Sequence, residues 1–178
     1  MYYKTNYTSP LGELQLASDG QSLAGLWIKG QKYHGGTYGE MVQKDDLPFF
    51  FTAKDWLDKY FAGKNPTISE LPLAPVGSDF RKEVWKILCE IPHGKYITYG
   101  DIAKEIAVKM KKDGMSGQAV GGAVGHNPIS IIIPCHRVVG AGGSLTGYAG
   151  GLDKKVWLLR HEGADLSNLF APEKGTAL

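Results

Sequence analysis

The chain has 178 residues, of which 43% are hydrophobic and 21% charged, with a formal net charge of +2. This length allows one domain or two small ones, and the composition is that of a soluble globular protein. The polar N-terminus is unlike a signal peptide, and no apolar run is long enough to span a membrane, so we expect no membrane association. Two cysteines are too few for a disulfide framework or a cysteine-based zinc site. We expect a protein of the reducing cytoplasm.

Charge is distributed unevenly along the chain. Residues 1–75 hold seven Lys and eight acidic residues, a balance of −1. Residues 76–165 hold twelve Lys and Arg and nine acidic residues, a balance of +3. A nucleic-acid partner would therefore bind the second part, although this charge alone does not establish one.

The first part of the chain has the pattern of a small sheet followed by a helix. Alternation of polar and apolar residues between turn residues predicts strands over 1–7, 13–17 and 22–28. Residues 30–39 are rich in glycine and lack periodicity, which predicts a loop. Aromatic residues recur at helical spacing over 47–61. Three prolines between 65 and 76 indicate an extended linker, where we place a domain boundary.

The second part is predicted to be mostly helical. Ser78 has the character of an N-cap, and the apolar residues after it predict an amphipathic helix. A turn leads to a helix over 99–107, and a lysine-rich loop separates this from a short helix over 118–125. Two helices joined in this way, the second one short, form a helix-turn-helix pattern. A last helix is predicted over 154–161, with Gly163 as its C-cap.

The short helix contains Gly121 and Gly122, which are costly in a helix and therefore need a reason. Close packing inside the domain would explain them, and so would a helix slim enough to enter a narrow groove. A major-groove helix would carry side chains that reach base edges, and here only Gln118 does so. From these residues alone, packing is the preferred explanation.

A cysteine follows a stiff apolar run near the middle of the second part. Ile131–Ile133 fit a buried strand or a tightly packed extended segment, and Pro134 ends it. Cys135 comes next and is followed at once by His136 and Arg137. Because nearby positive charge lowers the pKa of a thiol, this pattern is typical of a reactive cysteine.

Cys135 and His136 can act together only if the backbone turns or a water connects them, because neighbouring side chains of an extended chain point in opposite directions. A third group would have to orient the imidazole, and Glu162 is the acid best placed to do so. Glu162 is equally well explained as a helix-end residue, and a buried cysteine beside a surface histidine is the commoner arrangement. The second thiol, Cys89, is on a core helix and is interpreted as structural.

Several motifs together resemble a known family. They are PCHRV at 134–138, AVGGA at 119–123, Asn-Pro at 127–128, GYAGGL at 147–152, WLL at 157–159 and HEG at 161–163. In order and spacing, residues 78–164 resemble the DNA-binding and active-site domain of the O6-alkylguanine-DNA alkyltransferases, also called methylated-DNA–protein-cysteine methyltransferases. The first part of the chain is similar, more loosely, to the variable N-terminal domain of that family.

The resemblance implies a two-domain α+β fold. The N-terminal domain, over 1–75, would be a small β-sheet with a helix, of the ribonuclease H-like kind. The C-terminal domain, over 76–165, would be mostly α-helical with a winged helix-turn-helix, and a tail would follow over 166–178.

The resemblance also implies direct-reversal DNA repair. The family binds double-stranded DNA through the minor groove, flips out an O6-alkylguanine and transfers its alkyl group irreversibly to a cysteine, so each molecule acts once. Cys135 would be the acceptor, with His136 as a base acting through a water and Glu162 holding the imidazole. Tyr99 corresponds to the tyrosine that protonates the leaving base. No cofactor and no metal are expected, the protein would be a monomer, and O4-methylthymine would be a further substrate.

Other residues would hold the base, again by resemblance. The carbonyl of Val138 would accept from the exocyclic amine of guanine, and the amide of Ala149 would donate to O6. Tyr148 would pack on the base. Asn127 corresponds to the hinge residue between the recognition helix and the active site, and Lys155 to a lysine near the pocket.

The DNA-facing residues include one departure from the family. Ala119, Gly122 and Ala123 are small enough for a helix that lies in the minor groove. Gln118 stands where the family usually has an arginine, which fills the space that the flipped nucleotide leaves. We therefore expect repair with the extruded base held less strongly. Two alternatives remain: a lesion binder with weak transfer, and a Cys-His-Glu hydrolase, which would need an oxyanion hole and would turn over many times.

Overall fold

The structure, a computed structural model, describes residues 1–36 and 38–172. Its strands are β1 (Tyr2–Ser9), β2 (Gly12–Ser18), β3 (Leu23–Ile28), β4 (Met41–Gln43), β5 (Ile97–Thr98) and β6 (Val138–Val139). Its α-helices are α1 (Pro48–Phe61), α2 (Asp79–Glu90), α3 (Tyr99–Lys109), α4 (Gly117–Gly125) and α5 (Leu152–His161). In the part of the chain that the structure describes, no helix has the length and apolar character that crossing a membrane requires.

The elements form two compact units. The first consists of Met1–Val76 together with Pro128–Ile132, and the second of Gly77–Asn127 together with the described residues from 133 onward. The first unit combines strands with one α-helix, whereas the second is mostly helical. The predicted α+β class, with a small sheet domain before a helical one, is confirmed.

The first unit is built on a sheet whose described strands follow the order β3-β2-β1-β4. β1, β2 and β3 are antiparallel neighbours, as their alternating sequences predict. β4 was not predicted, because three residues are too few to show a pattern, and it pairs in parallel with β1. Helix α1 begins at Pro48, where the missing N–H of proline costs nothing.

The outer edge of β3 is covered by two other parts of the chain. The Leu23 amide donates to the Pro72 carbonyl at 2.9 Å, so the predicted linker runs beside β3. The Leu26 amide donates to the Pro128 carbonyl, and the Ser130 amide donates to the Leu26 carbonyl, each at 2.9 Å. Main-chain groups that an edge strand would leave open are satisfied in this way. The same bonds anchor the segment that leads into the cysteine motif.

Ile131–Ile133 are buried as predicted, but they form turns, so the predicted strand or extended segment is wrong. The chain must leave the edge of β3 after Ser130, and Ile131 takes a φ of 72° to do so. A β-branched residue rarely adopts this left-handed conformation, which persists only where the surroundings fix it. The Ile132 amide donates to the Ser130 carbonyl at 2.8 Å and closes the turn.

The second unit opens with α2, α3 and α4, which contact one another. Ser78 caps α2, as predicted, its hydroxyl accepting from the Arg81 amide at 3.3 Å. Thr98 and Asp101 form a capping box at the start of α3, each side chain accepting from the other's backbone. Ser116 caps α4 by accepting two amide hydrogens. The predicted pair of helices, the second one short, is therefore present as α3 and α4.

The C-cap of α5 is Glu162, one residue before the predicted Gly163, and Gly163 follows it with the positive φ of 75° that ends the helix. The chain then returns to the body of the second unit, because the Leu145 amide donates to the Phe170 carbonyl at 2.8 Å. Residues 166–170, which the sequence placed in the tail, therefore take part in the fold. Residues 173–178 of that tail lie outside the described residues.

Candidate active site

Cys135 begins a single 3-10 turn, Cys135–Arg137, directly after Pro134. Its amide donates to the Ile133 carbonyl at 2.8 Å, and Asn127 Nδ2 donates to the same carbonyl at 2.8 Å. The Asn127 side chain also forms a hydrogen bond with the thiol. One buried amide thus fixes both the approach of the chain and the sulfur, and it places Asn127 beside Cys135.

Cys135 is only 6% exposed. Burial raises its pKa, and this outweighs the hydrogen bond from Asn127 and the charge of Lys155, which both lower it. The expectation of a thiolate favoured by positive charge is therefore wrong for the free protein. A thiol that keeps its proton needs a base at the moment of reaction.

His136 and Glu162 form a buried pair, with His136 Nε2 2.7 Å from Glu162 Oε1. Burial lowers the pKa of His136 and outweighs the hydrogen bond and charge of Glu162, so the imidazole is neutral. Because an ionised carboxylate can only accept, the hydrogen of this neutral ring is on Nε2 and Nδ1 keeps a lone pair. Nδ1 is buried and has no hydrogen-bond partner among the described residues. The ring is therefore oriented as a base whose free atom is Nδ1.

Arg137 holds the carboxylate of Glu162 in a two-pronged ion pair. Its Nε donates to Oε2 and its Nη2 to Oε1, both at 2.9 Å, and its Nη1 donates to the Ile91 carbonyl at 2.6 Å. The Gly94 amide also donates to Oε2, at 3.3 Å. Burial raises the pKa of Glu162, but the hydrogen bond from His136 and the hydrogen bonds and charge of Arg137 together hold it well below its usual range. Glu162 is thus ionised, and Arg137 acts on this carboxylate.

Gly94 has a backbone conformation that this arrangement requires. Its φ is 76°, and a Cβ added there would lie 2.8 Å from the Glu162 carbonyl oxygen. A side chain would therefore push against the residue that orients the histidine. Apart from the turn at Pro92-His93-Gly94, no sequence feature indicates this contact.

Lys155 is buried, and its ammonium donates to three backbone carbonyls. They are those of Val138 at 2.5 Å, Thr146 at 2.9 Å and Gly147 at 3.1 Å. Burial lowers the pKa of Lys155 to about 8, although the nearby Cys135 opposes this shift. Lys155 therefore joins the turn after the cysteine to the glycine-rich loop. The predicted role of the Val138 carbonyl now rests on its second lone pair, since Lys155 already uses the first.

Two tyrosine hydroxyls lie near the cysteine. The Tyr99 hydroxyl donates to the Thr146 carbonyl at 3.2 Å, and burial together with the nearby Cys135 raises its pKa. The Tyr148 hydroxyl is buried and has no hydrogen-bond partner among the described residues. Burial and the nearby Cys135 raise the pKa of Tyr148 as well. Both phenols therefore keep their protons and can donate. Ala149 follows in the half-buried part of the loop.

Helix α4 presents small residues on its outer face. Gln118, Ala119 and Gly122 are exposed, whereas Ala123 is 2% exposed. Because Ala123 is buried, the predicted DNA-facing role of its side chain is wrong. Its carbonyl accepts from Trp85 Nε1 at 2.9 Å. A Cβ added to Gly122 would meet no atom within 4 Å. Packing inside the domain therefore does not explain this glycine.

The structure brings together most of the predicted site residues. Contacts or electrostatic interactions join eight of them, namely Cys135, His136, Glu162, Tyr99, Tyr148, Asn127, Val138 and Lys155. The residues predicted to face DNA are on α4. Sequence reasoning missed the Arg137–Glu162 fork, the Gly94 amide and the shared Thr146 carbonyl. No group of His, Cys, Asp and Glu among residues 1–36 and 38–172 could hold a metal ion.

Comparison with known proteins gives two family matches. The DNA binding domain of 6-O-methylguanine DNA methyltransferase matches residues 79–164, and the ribonuclease-like domain of the same protein matches residues 1–75. Among similar proteins, the methylated-DNA–protein-cysteine methyltransferase of Haemophilus influenzae is 40% identical over 160 residues, which are 90% of this chain and 86% of the relative. The protein of that name from Methanosarcina barkeri is 47% identical over 163 residues, covering 91% and 97%.

Solved structures agree with these matches. The O6-methylguanine methyltransferase of Mycobacterium tuberculosis superposes with a TM-score of 0.77 at 40% identity, covering 98% of this chain and 97% of that one. The OGT of the same organism, in complex with DNA, gives a TM-score of 0.77 at 39% identity and covers 94% of both chains. With both domains matched, the chain belongs to the 6-O-methylguanine DNA methyltransferase family.

Proposed function

We propose that this protein repairs DNA by direct reversal, moving the alkyl group of O6-alkylguanine irreversibly to Sγ of its own Cys135. The observation that carries the proposal is a buried thiol next to a neutral histidine, whose Nε2 is bonded to an ionised carboxylate. The names of the similar proteins, methylated-DNA–protein-cysteine methyltransferases, support the reaction class. O4-methylthymine is proposed as a second substrate.

The proton of the thiol leaves as the sulfur attacks. His136 Nδ1 is the acceptor, through a water that bonds both the ring and the thiol, since adjacent residues do not face each other directly. The new bond joins Sγ to the alkyl carbon, and the bond from that carbon to O6 breaks. Glu162 stabilises the imidazolium that forms, as a carboxylate partner does for a histidine base.

The leaving guanine must be neutralised as it departs. Tyr99 supplies a proton or a strong hydrogen bond to the departing base, and its raised pKa means that the phenol carries its proton in the free protein. Its present partner is the Thr146 carbonyl at 3.2 Å, a long bond that can be exchanged for the base. The second lone pair of the Val138 carbonyl, the Ala149 amide and the Tyr148 ring would hold guanine itself.

DNA is proposed to bind along the outer face of α4 through its minor groove. The exposure of Gln118, Ala119 and Gly122, and the open space around Gly122, support this face. Gln118 would enter the space left by the flipped nucleotide, with a shorter reach than arginine. We further propose that the protein acts as a monomer with 1–75 and 76–165 as its domains. It would act in the cytoplasm, where a thiol stays reduced, and without a cofactor, since the cysteine is both nucleophile and acceptor.

Mass spectrometry after incubation with O6-methylguanine duplex tests the proposal. We expect the mass of one added methylene on the Cys135 peptide, one transfer per protein molecule, and none on the Cys89 peptide. Cys135→Ser should bind the same duplex and gain no mass. Binding without mass gain would favour the lesion binder, and many turnovers per molecule would favour the hydrolase. Either result would overturn the proposal.

A further inference from the structure

A short segment after α5 holds the glycine-rich loop in place. The Leu145 amide donates to the Phe170 carbonyl at 2.8 Å, and the Phe170 amide donates to the Gly143 carbonyl at 3.1 Å. These bonds form a parallel bridge between Ser144 and Phe170. We name residues 166–170 the C-terminal strap.

Apolar side chains anchor the strap. Leu166 and Leu169 pack against a buried cluster formed by Val139, Leu145 and Leu159. Phe170 is 52% exposed, so it contributes mainly through its backbone. The strap is therefore held by two leucines and bonded to the loop by main-chain groups.

Two adjacent glycines show how closely the strap approaches. Gly142 has a φ of 72° and Gly143 a φ of 93°. A Cβ on Gly143 would lie 2.1 Å from the Asn168 carbonyl oxygen, whereas a Cβ on Gly142 would meet nothing within 4 Å. Both positions disfavour a side chain through their backbone conformation, but only Gly143 is required by contact with the strap.

The strap and the candidate active site meet at Thr146. The Thr146 amide donates to the Ser144 carbonyl at 2.9 Å, so its position depends on the bridged residues. The Thr146 carbonyl accepts from the Tyr99 hydroxyl at 3.2 Å and from the Lys155 ammonium at 2.9 Å. One backbone carbonyl thus fixes two polar side chains that lie near Cys135.

We propose that the C-terminal strap is a positioning element for alkyl transfer, with Gly143 and Leu169 as its positioning residues. This inference rests on the function proposed above. The strap fixes the Thr146 carbonyl, and this carbonyl holds the Tyr99 hydroxyl in place until the guanine takes over its hydrogen bond. The strap touches no reacting atom and acts through Tyr99. A displacement of about 1 Å in such a group costs up to about a hundredfold in rate.

Gly143→Ala in the full chain tests the inference, with Gly142→Ala as its matched control. Both variants add one methyl at a positive φ, and only the first pushes on the strap. The measurements are the single-turnover rate constant for methyl transfer to Cys135 and the Kd for unmodified duplex. We expect Gly143→Ala to slow transfer on the order of tenfold with Kd nearly unchanged. Gly142→Ala should transfer at nearly the wild-type rate.

A double-mutant cycle separates positioning from a general loss of structure. In a Tyr99→Phe background the hydroxyl is gone, so Gly143→Ala should add little further slowing. A purely structural defect would slow both backgrounds by the same factor. Leu169→Ala, with Phe170→Ala as its control, repeats the comparison and decides the matter if Gly143→Ala does not fold.

Equal rates in the two glycine variants, or equal slowing in the two tyrosine backgrounds, would overturn the inference. In either case wild-type protein would still methylate Cys135, and the proposed function would stand. If wild-type protein transfers no methyl group, the proposed function itself fails. The two failures are therefore distinguishable.

Discussion

Replacing Arg137 by methionine should lower both the stability of the fold and the rate of transfer, because Arg137 pairs with Glu162. The guanidinium makes two bonds to the Glu162 carboxylate and one to the Ile91 carbonyl. Arg137→Met removes all three and leaves the carboxylate buried with His136 and the Gly94 amide as partners. A methionine of similar length keeps the packing, so the change is mainly electrostatic.

The size of the effect follows from burial. The side chain of Glu162 is inaccessible to solvent and that of Arg137 is 8% exposed. Breaking a buried ion pair by removing one partner costs about 3–5 kcal/mol of unfolding free energy, because an uncompensated charge remains. Removing both charges costs less, so Arg137→Met combined with Glu162→Gln should recover part of the loss in stability. The double variant should still transfer slowly, since the neutral amide stabilises imidazolium poorly.

Urea unfolding and single-turnover transfer measure the two consequences. Arg160→Met is the matched control, because Arg160 is exposed on α5 and its removal should change stability by less than about 0.5 kcal/mol. With Glu162 no longer held by Arg137, we expect transfer to slow on the order of tenfold, or about 1.4 kcal/mol in barrier. If Arg137→Met costs less than about 1 kcal/mol and transfers at the wild-type rate, the reasoning about this fork is refuted.

Four further predictions concern single positions. Gly94→Ala should destabilise the protein more than Gly63→Ala. The two glycines have a similar φ, but a Cβ at Gly94 would meet the Glu162 carbonyl, whereas a Cβ at Gly63 would have open space around it. Equal unfolding free energies would contradict this. As the pH decreases below about 4.5, the usual pKa of the group, the unfolded state takes up the Glu162 proton before the folded state does. The stability of wild-type protein should therefore decrease as the pH decreases, and that of Glu162→Gln should decrease less steeply, as urea midpoints would show. Gly122→Ala should raise stability by about 0.5–1 kcal/mol and weaken duplex binding. Gln118→Arg should speed repair of methylated duplex. Unchanged affinity and unchanged repair would show that α4 is not part of the proposed interface.

Local patterns predicted much of this fold because their causes are local. Polar and apolar residues alternate in strands β1 to β3, and the aromatic residues of α1 recur at helical spacing. Ser78 caps α2 through its side chain, and Gly163 ends α5 through its positive φ. β4 escaped prediction because its only support is pairing with β1, more than thirty residues away along the chain. A sequence pattern shows the structural preference of a segment and its neighbours along the chain, and three residues are too few to form such a pattern.

The turn at Ile131–Ile133 shows where composition misleads. Three β-branched residues favour a strand, and their burial was predicted correctly. The backbone is instead determined by hydrogen bonds outside the segment, with Leu26 of β3 bonding Ser130 before it and the Asn127 side chain bonding the Ile133 carbonyl at its end. Tertiary bonds thus override the local preference and hold Ile131 in a conformation that its side chain disfavours.

The candidate site was predictable where side chains do the chemistry and unpredictable where backbone does the positioning. Cys135, His136 and Glu162 could be proposed from their residue types. The carbonyl of Thr146, which accepts from Tyr99 and Lys155, has no signature, since every residue has a carbonyl. Arg137 could be predicted only as a positive charge near the cysteine, because its pairing with Glu162 spans 25 residues and appears only in the folded chain.

The raised pKa of Cys135 fits a protein that acts once better than a preformed thiolate would. A thiolate reacts with any accessible electrophile or oxidant, and each such event would consume the molecule. A buried, protonated thiol resists those reactions and becomes nucleophilic only when its proton can leave toward a base that is already oriented. Burial makes the thiol harder to deprotonate, and this cost is offset at the moment of transfer, when an alkyl carbon is held in line with the sulfur. Protection of Cys135 and its dependence on His136 are therefore two consequences of the same desolvation.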